Sequence, residues 1–385
     1  MRVAIVGAGI AGLATAGLLA RLGHEVVVVD GAPGPPPEGA ALALQPNGLA
    51  VLDALGATAV LEPGSSRLRR LSVFDGVRRP IMTTTVPDFG PGLDHILVAA
   101  RADVVAALEA VSPVRVRWGT TVGHASPGLL DLQRSHDLER GDARDTLAAD
   151  LIIGADGASS TVRRCFGLGE RRRGGRRYVR ALIDRPSALA GAGEYWTRSG
   201  LAGILPCGAS RTYVYATATQ AIVDAHASGA DLSGPLGRAH PVLAGVLPGF
   251  LGSERVLLNE VSRVDCASFV GPRVALVGDA AHAMAPNLGQ GANSGLVDAA
   301  ILALELAERD GLESALGRYD ARRRSVRDVQ RDADRLARAS HARGPREVRN
   351  ALARGLGRRS GEGVLRRAQQ CDPSELRARL REVLD

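Results

Sequence analysis

At 385 residues, 45% hydrophobic and 23% charged, the chain has the composition of an ordinary folded protein, with room for about two to three domains; disordered and fibrous classes are excluded. Its net charge of +7 is local, because residues 321–385 hold 18 Arg against 9 Asp or Glu and the remainder is close to neutral. The chain has no Lys and that tail has no aromatic residue, so the Arg excess reads as solvated helix faces of mixed sign and no nucleic-acid partner is expected.

In chain order, "RVAIVGAGIAGLATAGLLARLGHEVVVVD" comes first and reads as strand, glycine turn, helix and strand, a βαβ unit. No secretory leader is expected before it, and no charge-free apolar run reaches the ~18 residues of a membrane span. "APGPPPEG" is a stiff loop, and "QPNGLAVLDALG" a short helix closed by Gly56. Short strands and turns fill residues 66–94. "ARADVVAALEAV" then has helical spacing, "VRVRWGTTV" alternates as a strand, and "LAADLIIGADG" is a buried strand entering a turn. Runs such as "YVRALI" and "RTYVYATAT" indicate an antiparallel sheet. "RVALVGDAAHA" returns to the parallel type, and helical patterns continue to the C-terminus, interrupted at "ARGPRE" and "RGLGRRSGEG". The expected organisation is α/β, with a discontinuous lobe (1–65, 95–168 and 266–320), a second lobe (66–94 and 169–265) and a helical segment (321–385). Cys165, Cys207, Cys266 and Cys371 are dispersed, which argues against a disulfide framework or a metal site and suits the cytoplasm.

Three segments carry chemistry. In "GAGIAG", Gly7 permits a sharp turn, Gly9 admits a pyrophosphate, Gly12 allows close helix packing, and Ile10 and Ala11 open a helix whose N-terminus faces the phosphates. Asp30, closing the second strand, is placed to accept from ribose hydroxyls. This is a dinucleotide site that fits FAD or NAD. The second segment, "GADGASSTVR", brings Asp156 and Arg163 together at a strand's carboxyl end, where ligands bind in such sheets. The third is "GDAAHAMAPNLGQGAN". Asp279 follows an apolar strand, Pro286 stiffens a loop, and Gly289 and Gly291 let a flat ring lie against backbone. A helix beginning near Gln290 or Gly291 aims N–H groups at that ring, as a flavin cradle requires.

In this order the segments resemble the FAD motifs of the class A flavin monooxygenases, the p-hydroxybenzoate hydroxylase-like family, over about 320 residues. The resemblance implies a Rossmann-like FAD-binding domain of glutathione-reductase type, an inserted antiparallel β-sheet substrate domain and C-terminal helices. Gly7, Gly9, Gly12, Asp30 and Arg101 would hold the ADP half, and Asp156 the FAD and NAD(P)H region. Asp279 would take the ribitol and pyrophosphate, while Pro286, Gly289, Gly291, Ala292 and Asn293 would face the ring. The chain departs from the family in having Asp30 where Glu is commoner, and in carrying Ile204 where some phenol-hydroxylating relatives have a His.

The chemistry so implied is NAD(P)H-dependent hydroxylation of an aromatic, polyketide or terpenoid-like small molecule by O2 through a flavin C4a-hydroperoxide, with NADPH or NADH visiting transiently. Candidate substrate contacts are Tyr195, Trp196, Arg211, Tyr213 and Tyr215, clustered in a chain only 3% aromatic. Arg171–Arg177 reads as a solvated loop and His282 as a support for the flavin loop. An epoxidase or dehydrogenase on the same scaffold, and a non-catalytic FAD-binding interaction protein, are the competing readings. A halogenase is disfavoured because Trp118 and Trp196 stand alone.

Overall fold

Val3, Ala4, Ile5 and Val6 are all buried, as a strand covered on both faces must be. In the computed structural model, which describes residues 1–36, 39–134, 145–187, 191–308, 310–341 and 362–385, they form β1 (Arg2–Val6) at the centre of a six-stranded sheet. β1 pairs in parallel with β2 (Glu25–Val29) on one side and with Leu151–Gly154 on the other, which pairs in parallel with Val274–Leu276. Val6, Gly154 and Leu276 are in register, so the turns after these three strands leave along one edge. Helix α1 (Ile10–Arg21) and helix Gly291–Ala307 pack together on this sheet.

A second sheet has seven strands in the order 257–266, 169–183, 211–217, 200–207, 193–197, 70–75 and 80–85. It is antiparallel except where 193–197 meets 70–75 in parallel. Val179, Ala202, Ile204 and Val214 turn to the far face, under Ile222, Leu232 and Leu236 of the following helical segment. Leu182, Leu205 and Tyr213 turn to the near face and pack on Val98 and Ala100 of strand Ile96–Ala100. Beside them Tyr178, Trp196 and Leu201 meet Leu336 of helix Val326–Ser340. No helix among the described residues is long and apolar enough to cross a membrane.

Two local expectations are corrected. Arg171–Arg177 is no loop: it lies within strand Gly169–Ile183, whose register shifts between Arg173 and Arg177, and strand Leu257–Cys266 satisfies its backbone while the arginines stay at the surface. "VRVRWGTTV" is two strands, Val116–Arg117 and Thr120–Ser126, because Gly119 turns the chain at φ +66° between different sheets. "ARGPRE" and most of "RGLGRRSGEG" lie outside the described residues, as do residues 37–38 of the proline-rich loop.

Helix Gly291–Ala307 is buried from Asn293 to Leu306, and that stretch includes Asp298. A buried carboxylate persists only when fully partnered. Asp298 Oδ2 accepts from the Gly278 amide at 2.7 Å and lies 2.6 Å from His282 Nε2; Oδ1 accepts from Arg323 Nε at 2.6 Å. Burial alone would raise this carboxyl, but His282, Arg323 and the Gly278 amide outweigh it and hold it below the usual carboxylate range. The cluster pins the turn at Gly278 to helices Gly291–Ala307 and Leu312–Arg323. Asp298→Ala would strand Arg323 as an unpaired buried cation and should cost about 3–5 kcal/mol in chemical denaturation. Since the folded carboxyl is depressed, this contribution is complete above the usual carboxylate pKa. The gap between wild type and variant should close only as pH falls below that range.

Candidate active site

The first turn is built by exclusion. Gly7 has φ +108°, and a Cβ there would collide with the carbonyl of Ala155; a Cβ at Gly12 would collide with the carbonyl of Gly7. Gly9 is different, since a Cβ there would meet nothing within 4 Å. Its glycine guards open space above the start of α1. That helix has Gly9 as N-cap, no side-chain cap and no acidic residue in its first turn, so the N–H groups around Ile10 and Ala11 are free for an anion. Asp30 stands beside them. Its Oδ2 accepts from the Ala8 amide at 2.7 Å and its Oδ1 from the Ala32 amide at 2.8 Å, which fixes the carboxylate while leaving lone pairs for hydroxyl donors.

The second turn adjoins the first through Ala155. Asp156 Oδ2 accepts from the amides of Thr161 (2.7 Å) and Val162 (3.1 Å) at the start of a short helix, while Oδ1 is buried without a protein partner. Arg163 does not join Asp156 as a ligand-facing cation. It is buried, and donates from Nη1 to the Ala280 carbonyl and from Nη2 to the Ala158 carbonyl, both at 2.8 Å, so it ties the second turn to the third.

The third turn reaches α1 directly. Gly278 has φ +61°, and a Cβ there would sit 2.9 Å from Ala11 Cβ; a Cβ at Gly295 would sit 3.0 Å from the same atom. Asp279 is exposed, with Oδ1 3.9 Å from where a Gly291 Cβ would be. Pro286–Leu288 forms a single 3-10 turn, Gly289 adopts φ +62°, and helix Gly291–Ala307 starts with no side-chain cap and no acidic first turn. The amides of Gly291 and Ala292 therefore form a second anion-stabilising end. Arg101 opens helix Arg101–Val111, its amide bonded to the Ala40 carbonyl at 2.8 Å and its side chain exposed.

A buried polar network that the sequence reading missed holds the loop. Asn293 Oδ1 accepts from the Gln45 amide at 2.9 Å, and its Nδ2 donates to the Ala43 and Gly289 carbonyls. Gln45 Nε2 donates to the Leu288 carbonyl, and Gln45 Oε1 accepts from both Gln290 and Gln369. Asn47 bonds Gln290 and Gln369, and Gln370 reaches Ser294 at 2.7 Å. The available signal was "QPNG" and "QQ", amide pairs beside apolar runs, but only the fold shows that they meet.

Of the proposed substrate contacts, Tyr213 and Tyr215 lie on the near face with ring centroids 5.5 Å apart, and Trp196 lies beside them. Tyr195 turns to the far face, stacked on Phe74 at 5.0 Å with its hydroxyl donating to the Gly191 carbonyl. Arg211 is paired with Asp103 of helix Arg101–Val111 at 3.1 Å, away from that cluster. Ile204 also points to the far face, so it leaves no acid–base group there. Glu194, which the sequence reading did not single out, shares the near face: its Oε1 accepts from Trp196 Nε1 at 2.8 Å.

The site thus joins three glycine turns in contact, two uncapped helix ends and a hydroxyl-accepting carboxylate. That donor set fits FAD. The profile of the FAD binding domain family matches residues 1–220 and 256–332. The chain is 31% identical to 3-amino-4-hydroxybenzoate 2-monooxygenase of Streptomyces cremeus, covering 89% of this chain and 88% of that protein. It is 30% identical to 2-heptyl-3-hydroxy-4(1H)-quinolone synthase of Pseudomonas aeruginosa, covering 79% and 80%. Among solved structures, 2-methyl-3-hydroxypyridine-5-carboxylic acid oxygenase superposes with a TM-score of 0.78 at 25% identity over 97% of both chains. HpxO of Klebsiella pneumoniae, complexed with FAD and uric acid, shares the fold at a TM-score of 0.78 and 22% identity, covering 96% of this chain and 97% of that one. The chain belongs to the FAD binding domain family, among the class A flavoprotein monooxygenases.

Proposed function

We propose that this chain is an NAD(P)H-dependent monooxygenase that uses FAD and O2 to hydroxylate an electron-rich aromatic or heteroaromatic small molecule in the cytoplasm. The observation that carries the reading is the meeting of the three turns at Ala155, Ala11 and Gly278. The aromatic and heteroaromatic ring systems after which its relatives are named favour that substrate class over polyketides or terpenoids.

When bound, FAD would supply electron transfer from the nicotinamide to O2 and passage of one oxygen atom to the substrate. The chain's own residues would do the rest. The turn Gly7–Gly12 and the start of α1 would bind the pyrophosphate, and Asp30 would orient the ribose. Asp279 would hold the sugar-alcohol chain. The amides of Gly291 and Ala292 would stabilise negative charge on the ring edge, in a position fixed in advance by the Gln45–Asn293 network. Residues 66–94 and 169–265 would close the site against water.

Two outcomes test this. Gly9 has φ −75° and open space around it, so Gly9→Leu should fold with stability within ~0.5 kcal/mol of wild type. Its side chain would occupy the approach to the helix end, and FAD affinity should fall at least ~10-fold, about 1.4 kcal/mol, in fluorescence titration. The purified protein should also be yellow and should consume NADPH or NADH faster when a substrate is present, with label from isotopic O2 in the product. Label-free product would point to a dehydrogenase; flavin without substrate-stimulated turnover would point to a binding protein.

A further inference from the structure

The register of the seven-stranded sheet decides which side chains look down on the flavin loop. Strand pairing aligns Val73, Glu194, Gly203, Tyr215, Arg180 and Leu257 in one row. The neighbouring near-face row, with Leu182, Leu205 and Tyr213, is supported by strand Ile96–Ala100. The row on the other side, with Tyr178, Trp196 and Leu201, is supported by Leu336. The Glu194 row therefore spans the gap between those supports. Below that gap lies the loop: Leu288 packs on Ala333 and Ala337 of the Leu336 helix, and a Cβ at Gly289 would be 4.0 Å from Ala43 Cβ on the strand paired with Ile96–Ala100.

Within the row, a Cβ at Gly203 would collide with the ring of Tyr215, so that ring lies flat across Gly203 and extends toward Glu194. Glu194 and Arg180 flank Tyr215 from the two sides. Glu194 retains some accessible surface although it is deep in the fold, as a side chain lining a cleft does. Burial raises its carboxyl to about 7, only partly opposed by the Trp196 N–H. Tyr215 is pushed well above its usual value by burial, then by Glu194, Tyr213 and Tyr178, so it stays a neutral hydroxyl. Other charged or titratable groups around this face are Arg180, Tyr178, Tyr213, the Arg263–Asp334 pair joining strand Leu257–Cys266 to helix Val326–Ser340 and, from the end of that helix, His341, whose Nε2 lies 3.0 Å from Thr217 Oγ1. Asp75, at the end of strand 70–75, is engaged by its own turn through the Val77 and Arg79 amides.

We infer that Glu194 is the group that accepts a proton from the substrate, an aromatic ring bearing an acidic O–H or N–H, while Arg180 receives a carbonyl or carboxylate oxygen of the same ring. This rests on the monooxygenase reading above. The O–H or N–H proton passes to a Glu194 oxygen, and its bonding pair stays on the substrate and enriches the ring carbon that receives the oxygen atom. When that carbon loses its C–H proton to water and the ring regains aromaticity, Glu194 returns its proton to the substrate oxygen or nitrogen. Tyr215 positions the ring between the two charges.

The test uses the flavin-loaded protein and a probe panel of 4-hydroxybenzoate, 3-hydroxypyridine and 4-quinolone, each paired with its O- or N-methylated form. Wild type should show probe-stimulated NAD(P)H oxidation with the unmethylated members only, and kcat/KM should rise with pH through about 7 as the Glu194 carboxyl ionises. Glu194→Gln keeps an acceptor for Trp196, so flavin content and the visible spectrum should match wild type. Stimulated turnover should fall at least ~100-fold and the rise near neutrality should disappear. Arg180→Gln should raise KM for 4-hydroxybenzoate by at least ~10-fold with kcat largely kept. A yellow wild type stimulated equally by methylated probes or by none, or a Glu194→Gln variant with full stimulated turnover, overturns the inference and leaves the FAD reading standing. A colourless wild type overturns the reading beneath it.

Discussion

Everything in the site depends on how closely the start of α1 sits against the third turn. Ala11 touches both Gly278 and Gly295, and a methyl group at Gly295 would lie 3.2 Å from Gly278 Cα as well as 3.0 Å from Ala11 Cβ. Interiors are packed too tightly to absorb such a group without movement. Small residues at these points therefore set the distance between two helix N-termini, one beside the phosphate turn and one at the ring loop. The parallel sheet supplies the common edge, and glycine supplies the approach. An extended ligand with a phosphate middle and a flat end can then meet both helix ends together.

The rest of the molecule keeps that arrangement stiff. Asp298 binds the Gly278 turn to two helices, while Gln45, Asn47, Asn293, Gln290 and Gln369 bind the loop to helix Pro46–Ala54 and to the C-terminal segment. A buried amide left unsatisfied costs about 1–3 kcal/mol, so a network of this kind resists any alternative loop path. The Arg-rich tail acquires a physical role here: among its described residues Arg377 and Arg381 pair with Asp53, and Arg331, Arg335 and Arg366 pair with carboxylates one turn away, while Gln369 and Gln370 point inward at the loop. Preorganised amides stabilise charge better than ones that must reorient.

Much of this was legible from residues close in sequence. The βαβ unit, Asp30, the helix after Gly291 and the antiparallel texture beyond residue 169 each follow from local spacing or periodicity. What escaped depends on register or on contacts across the chain. Arg171–Arg177 looked like a loop because its charge and glycines suggest one, whereas pairing with a distant strand makes it β-structure. Tyr195 and Tyr213 both looked like site aromatics, yet a strand alternates its faces, and which parity faces the loop is set only when the sheet docks on strand Ile96–Ala100. Glu194 was hidden for the same reason. Asp298, Arg323 and Gln369 escaped because their partners lie on other elements.

The most direct test of the central claim, that three separated turns form one FAD cradle, is calorimetric titration of FAD into flavin-free protein. A single saturable site per chain, competed by ADP and abolished by a bulky residue at Gly295, is the result this account requires. Binding that is absent, or that persists unchanged when the contact among Ala11, Gly278 and Gly295 is forced apart, would contradict it.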